Sequence, residues 1–557
     1  MKIFNLYKSI GVLALAITLL TSCSKDQYWN DNPLNDPTAP STLPALTSGS
    51  ADFSNYVALG ASFSAGESSG SVFIKAQEYS FPNLLAEAFS NTVTLTDTGT
   101  EGFFSQPMVN DNIGGLLLNG EVFQYEDQSG EVKYRPRLYF NGQAPAYLDA
   151  TPTTEISNIL TGPFNNMGVS GIKSYQFTKQ GYGDISGLGS GANPYFVRMA
   201  SSPSATVLGD AVSQDPTFFT ISVMGGNDVL SYATSGGAYG IDQIGNQETS
   251  TYSPYDITDP TAFNTKITEI VSALTANGAK GVLSNVPYVT DLPFFTAVPY
   301  AALDPTNPDF GPQIPVLNAS FNRLNQAFAF LGFPERSIVF AEAAASPVVI
   351  FDKSLPSLTD ELFFVLELSG VDSFTAALLA QQYGQSRQAT AEDLLLLTSS
   401  GVIGKFNEKH FAYLLDLGVP AETAGQLSVN GITYPLADNF VLTDIEIQKT
   451  KDATDAYTMK IISLADSYGL AFVNLKDVLS EASSSGLVFD NFNMTTDLVF
   501  GGLVSLSGIH LTARGYALMA NEFLEQIDAT YGSNFGASGS MLQAADYVIM
   551  YPENLPN

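Results

Sequence analysis

The chain has 557 residues, 45% hydrophobic and 14% charged, with 23 Lys and Arg against 55 Asp and Glu for a formal net charge of −32. So acidic a surface repels phosphate backbones and excludes nucleic acid as a partner, and the apolar content excludes a disordered chain. A single cysteine leaves no disulfide and no thiolate metal site, so stability must come from burial in the core that a chain of this length can build.

Residues 1–22 read as a secretory leader: Lys2 and Lys8 give a charged start, and the apolar run from Ile10 to Leu20 is too short to span a bilayer. The run ends in Leu20-Thr21-Ser22-Cys23, which is similar to the lipobox of bacterial lipoproteins. That likeness implies acylation of Cys23 and a place in the bacterial cell envelope, anchored in the outer membrane. Residues 23–50, rich in Pro, Ser, Thr, Asn and Asp and without apolar periodicity, predict a flexible tether.

A folded body is expected over residues 51–535, with a tail over 536–557. Four short apolar runs predict buried strands: Tyr56 to Leu59, Phe218 to Val223, Gly281 to Ser284 and Leu470 to Val473. Helical spacing runs from Ala262 to Asn277 and from Ala513 to Tyr531, the latter with Tyr516, Met519, Phe523 and Ile527 on one face. Strands alternating with helices predict an α/β fold, a parallel sheet covered on both faces, whose ligand lies beyond the carboxyl ends of the strands. Two segments exceed such a core. Residues 102–150 predict a β-hairpin, Glu121 to Glu126 and Glu131 to Phe140 around a Gln128 turn. Residues 355–440 predict a helical insertion carrying Asp360 to Leu368 and Ala391 to Leu397. Either segment is decoration or a wall over a site.

Histidine narrows the chemistry, because there are two. His410 falls inside the helical insertion and reads as a packing residue. His510 stands in Ser507-Gly-Ile-His-Leu-Thr-Ala-Arg-Gly-Tyr516, just before the last helix, with Thr512 as its cap. A loop imidazole there is placed to serve as a general base. Directly after the first strand comes Gly60-Ala-Ser-Phe-Ser-Ala-Gly66, a small-residue turn that exposes the Ser62 hydroxyl. No Gly-Lys-Ser/Thr follows, so a phosphate loop is disfavoured. Gly225-Gly-Asn-Asp228 follows the Phe218 run, where the Asn227 carboxamide can donate to an oxyanion, and Asn166-Met-Gly-Val-Ser-Gly171 offers a bare backbone donor.

These four blocks, in this order, resemble those of the SGNH, or GDSL-like, hydrolases. The likeness covers the blocks and the sheet pattern, not the insertions. It implies a three-layer α/β/α, flavodoxin-like sheet and a serine esterase that needs no metal or cofactor. Ser62 would be the nucleophile and His510 the base, with an oxyanion hole built from Ser62, Gly171 and Asn227. The substrate would be a small-molecule ester of a lipid, a short acyl group or an acetylated sugar. Two positions depart from the family pattern. Its Gly-Asp-Ser is here Gly60-Ala61-Ser62, and its aspartate three residues before the histidine is here Ser507. A Ser–His dyad is therefore expected, with the Ser507 hydroxyl orienting the imidazole; Asp497 and Asp490 are the carboxylates that would have to swing in otherwise. The competing class is a non-catalytic surface lipoprotein that binds through a retired hydrolase fold. A two-lobed solute-binding protein is disfavoured because no second set of strand–helix alternations occurs.

Overall fold

The computed structural model describes residues 43–93, 103–128 and 130–556. The leader, Cys23 and most of the tether lie outside the described residues. Five strands form one parallel sheet: β1 (Tyr56–Gly60), β2 (Asn166–Gly168), β3 (Phe218–Ser222), β4 (Lys280–Ser284) and β5 (Ala471–Val473). Their spatial order is β5-β4-β3-β1-β2. Four of them are the apolar runs read from the sequence. The fifth, β2, lies within the predicted glycine loop: three residues at the sheet edge, paired Ala58↔Asn166 to Gly60↔Gly168, are too few to leave a periodic signal.

Six helices matter for the site: α1 (Ser62–Ala65), α2 (Phe81–Ser90), α3 (Gly226–Thr234), α4 (Pro260–Thr275), α5 (Asp444–Tyr468) and α6 (Ala513–Tyr531). On one face of the sheet, Phe89 from α2 and Tyr531 from α6 meet Phe218 edge-on, and Phe89 also meets Tyr56. Strand alternation turns Val57, Phe219 and Ile221 to the other face, where they are equally buried. On that side α4 packs against α5, which lies on β4 and β5. Cover on both faces is why the strands read as mostly apolar runs without a polar-face alternation of charged residues. Phe218 is wholly buried, and its truncation to alanine would cost about 3–5 kcal/mol.

Several boundaries differ from the sequence reading. The helical insertion has its own core, running from Leu303 to Val441 and including the helix Ile314–Leu331. Ala391 to Leu397 is not a helix. Asp393 pairs twice with Arg387 (2.6 and 2.8 Å), Leu394–Leu395 pairs with Val441–Leu442, and a 3-10 turn, Leu397–Gly401, follows. The hairpin region forms three small ladders, of which Tyr125–Glu126 with Val132–Lys133 matches the predicted one. Residues beyond 536 are docked: buried Arg137 donates to Pro552 O (2.7 Å), and Tyr551 meets Phe73 edge-on. The last part of the predicted tether also joins the body, since Ser50 N–H donates to Tyr531 O (2.8 Å) and Asn534 Nδ2 to Ala45 O (2.9 Å). Among the described residues, no helix is long and apolar enough to cross a membrane.

Candidate active site

The predicted site residues sit on loops that leave the carboxyl ends of β1, β2 and β3 or pack against them, where open parallel sheets place their ligands. β1 ends at Gly60, and the chain turns at once into α1, whose first residue is Ser62. Two glycines make this turn fit. A Cβ on Gly60 would lie 2.1 Å from Ser64 Oγ, and one on Gly168, its register partner, would lie 2.4 Å from Ala65 N. Bare backbone at both positions lets the serine turn settle across the ends of β1 and β2. Ser64 Oγ, 2.8 Å from Ser222 Oγ, pins the turn to β3.

His510 arrives 448 positions later. Thr512 caps α6, accepting from Gly515 N–H at 2.9 Å, as expected. Three bonds hold the histidine loop against the segment after Ser62: Ser69 N–H to Ser505 Oγ (2.9 Å), Ser68 Oγ to Leu511 O (2.8 Å) and Tyr516 Oη to Glu67 O (2.6 Å). The outcome is a separation of 2.8 Å between His510 Nε2 and Ser62 Oγ, with the histidine 7% and the serine 5% exposed. A Phe294 N–H bond to Gly508 O (3.0 Å) braces the loop from the short helix Pro293–Thr296, which follows β4.

The third block is delivered by a strained turn. Val223 adopts φ +49°, a left-handed conformation that costs a β-branched residue about 1–3 kcal/mol. Its carbonyl accepts from Gly226 N–H (2.9 Å), and Gly225 at φ +101° starts α3 with Asn227 in the first turn. Asn227 Nδ2 donates to Ile172 O (2.9 Å), beside Gly171, which is itself left-handed at φ +83°. Fully buried Asp228 accepts from Ser174 N–H (2.9 Å) and Ser174 Oγ (2.6 Å), tying α3 to the same loop. On the other side of Gly171, Ser170 Oγ donates to Glu67 Oε2 at 2.5 Å, which joins that loop to the serine turn. Ser62 and His510 thus meet directly, Gly171 and Asn227 meet through Ile172, and the Ser170–Glu67 bond links the two pairs.

Ser507 does not orient the imidazole ring, contrary to the sequence expectation. Its Oγ faces the backbone N–H groups of Ile509 and His510, at 3.4 Å each, and lies 3.3 Å from Ser505 Oγ. A short hydroxyl two or three residues from these N–H groups is captured by its own turn. Asp497 and Asp490 are engaged elsewhere, accepting from Thr495 Oγ1 (2.9 Å) and Ala544 N–H (2.6 Å). The carboxylate facing His510 is that of Glu67, with Oε1 3.5 Å from Nδ1. This is ion-pair range but too long for a hydrogen bond, and among the described residues buried Nδ1 makes none. The sequence reading did not single out Glu67. The available signal was its position, five residues after Ser62 in the serine block of a chain that lacks the usual acid before the histidine. Burial holds the Tyr195 and Tyr516 hydroxyls far above their ordinary range, and the Glu67 charge pushes the same way, so both stay neutral beside it. His410 packs as expected: its ring stacks on Tyr434 at 4.0 Å, and Nε2 lies 3.2 Å from Gln382 Oε1.

An apolar pocket of about 80 Å³ adjoins this constellation. Its walls include Phe63, Gly226 and Ile509, chain neighbours of Ser62, Asn227 and His510, and reach back to Leu475, Leu479 and Met519. Comparison of the chain with family models, curated proteins and solved structures returns no match.

Proposed function

We propose that the protein is a serine esterase that cleaves carboxylic esters by acyl transfer through Ser62. The observation that carries this reading is the 2.8 Å contact between His510 Nε2 and Ser62 Oγ inside a buried site. With the ring proton on Nδ1, Nε2 accepts the Ser62 proton as Oγ attacks the ester carbonyl carbon. The tetrahedral oxyanion takes backbone N–H bonds from Ser62 and Gly171 and the second N–H of the Asn227 amide, whose first N–H is held by Ile172 O. Collapse of the intermediate breaks the C–O bond to the alcohol, which leaves with the proton from Nε2. Water, deprotonated by the same nitrogen, then releases the acid and restores Ser62. No step calls for a metal or cofactor.

The pocket narrows the substrate class. At about 80 Å³ and walled by apolar side chains, it suits an acyl chain longer than acetate. Its aliphatic walls favour fatty acyl esters over acetylated sugars. Acylation of Cys23 would hold the enzyme at the bacterial envelope.

A fluorophosphonate probe and p-nitrophenyl butyrate test the reading. Wild type should take the label and turn over the ester, and Ser62→Ala should do neither. A wild type inert to both would move the assignment to the binding-module class, which draws its support from the hydrogen bond that Nδ1 lacks.

A further inference from the structure

We infer that Glu67 is the acid of the site, a positioning residue that fixes the tautomer of His510 and stabilises the imidazolium from the serine loop instead of the histidine loop. The inference rests on the esterase reading for its effect on turnover, but the Glu67–His510 pair itself is a matter of geometry. In the family pattern the acid stands three residues before the histidine, and here that position holds a serine whose hydroxyl faces backbone N–H groups at 3.4 Å and carries no charge. A buried imidazole that must carry a proton on Nδ1 needs an acceptor there, because a buried N–H left unpaired is destabilising.

Glu67 is held for this task from three directions. Its N–H donates to Ser62 O (2.9 Å), its carbonyl accepts from Tyr516 Oη (2.6 Å), and its Oε2 accepts from Ser170 Oγ (2.5 Å). With Oε2 tethered, Oε1 is the oxygen left to face Nδ1, at 3.5 Å, and the side chain is 16% exposed. The remaining gap is of the kind that tightens when a substrate fills a site, because catalytic hydrogen bonds are often long before the ligand arrives. The groups facing this pair from the surrounding elements are Ser62, Ser170, Tyr134, Tyr195 and Tyr516. None of them supplies a second negative charge at neutral pH, so the full effect of a carboxylate on the imidazole comes from Glu67.

This arrangement makes one loop carry both nucleophile and acid. A displacement of the serine loop would therefore misplace both relative to His510, whereas in a histidine-loop arrangement the acid travels with the base.

The chain's two histidines permit a direct measurement. Ring 15N shifts read by NMR at pH 8 in wild type and Glu67→Gln should show the share of His510 protonated on Nδ1 falling by about threefold or more, because the charged acceptor facing that nitrogen is removed. His410, in a separate core, serves as the internal reference and should not move. In parallel, Glu67→Gln should lower kcat on p-nitrophenyl butyrate by about 10²–10⁴ with KM changed less than about threefold, since the charge matters most once the imidazolium forms. If Glu67→Gln does not fold, Glu67→Asp carries the test and should give a smaller fall in both readouts. A His510 tautomer ratio within about 1.5-fold of wild type in the folded variant overturns the assignment. The tautomer measurement needs no turnover, so a wild type without esterase activity would sink the proposed function while leaving the Glu67–His510 contact to stand or fall on its own.

Discussion

Replacing Gly168 by alanine puts a methyl group where the serine turn now sits. The new Cβ would lie 2.4 Å from Ala65 N and 2.5 Å from Ser64 C, whereas ordinary contact begins near 3.4 Å, so one side must yield by about 1 Å. Both obstructing atoms are backbone, and the turn is also bound to β2 through Asn166 Nδ2, which donates to Ser64 O at 2.8 Å. β2 therefore cannot slip away without dragging the turn. If the turn carries the shift, the 2.8 Å contact between Ser62 and His510 stretches toward about 3.8 Å, outside hydrogen-bond range. A displacement of that size costs about 10²-fold in turnover, and the overpacking costs about 1–3 kcal/mol of stability. Gly168→Ala should therefore lose about 10²-fold in kcat on p-nitrophenyl butyrate and in the rate of fluorophosphonate labelling, with a lower urea midpoint. A variant as stable as wild type and within about threefold of it in both rates would refute the claim that this close approach holds the nucleophile in place.

Asn227→Ala should lower kcat by about 10²–10³ with little change in KM, as loss of one oxyanion donor does, and steady-state kinetics on p-nitrophenyl butyrate check it. Leu475→Trp should fill the apolar pocket and lower kcat/KM for the hexanoate ester by about tenfold or more while sparing the acetate ester; equal losses on both would detach the pocket from the acyl chain. Burial, with the like charges of Glu525 and Glu481, raises Glu522 on α6 from 4.5 to about 7. The native state then holds a proton that the unfolded chain has lost, so stability should fall as pH rises from about 4.5 to 7. Glu522→Gln should flatten that slope and stabilise the protein at pH 8 by on the order of 1 kcal/mol, allowing for solvent screening; thermal melts across this range give the answer.

Much of the scaffold was legible in the residues alone because burial on two faces leaves a local signature. Tyr56 to Leu59 is an unbroken apolar run of strand length, Phe218 to Val223 is broken by Thr220 and Ser222 alone, and α6 repeats its apolar residues at helical spacing behind a threonine cap. The meeting of Ser62 with His510 at 2.8 Å had a different signal, the order of four short blocks that resembles a known family, since each block alone reads as a plain turn. The edge strand β2 escaped notice, since three residues carry no period. Ala391 to Leu397 misled in the opposite way, because a run of leucines suits a helix until the Arg387–Asp393 pair pulls its start into an extended ladder.

What only the tertiary structure decided is which carboxylate faces His510. Sequence proximity pointed to position 507 and then to Asp497 or Asp490, all on the histidine's side of the chain. The facing group is Glu67, brought there because Ser68, Ser69 and Tyr516 bind the two loops together across more than four hundred residues. Strand and helix propensities are set by neighbours along the chain and can be read from them. An ion pair between loops depends on where the sheet order sets β1 relative to α6, and no local pattern of residues encodes that distance.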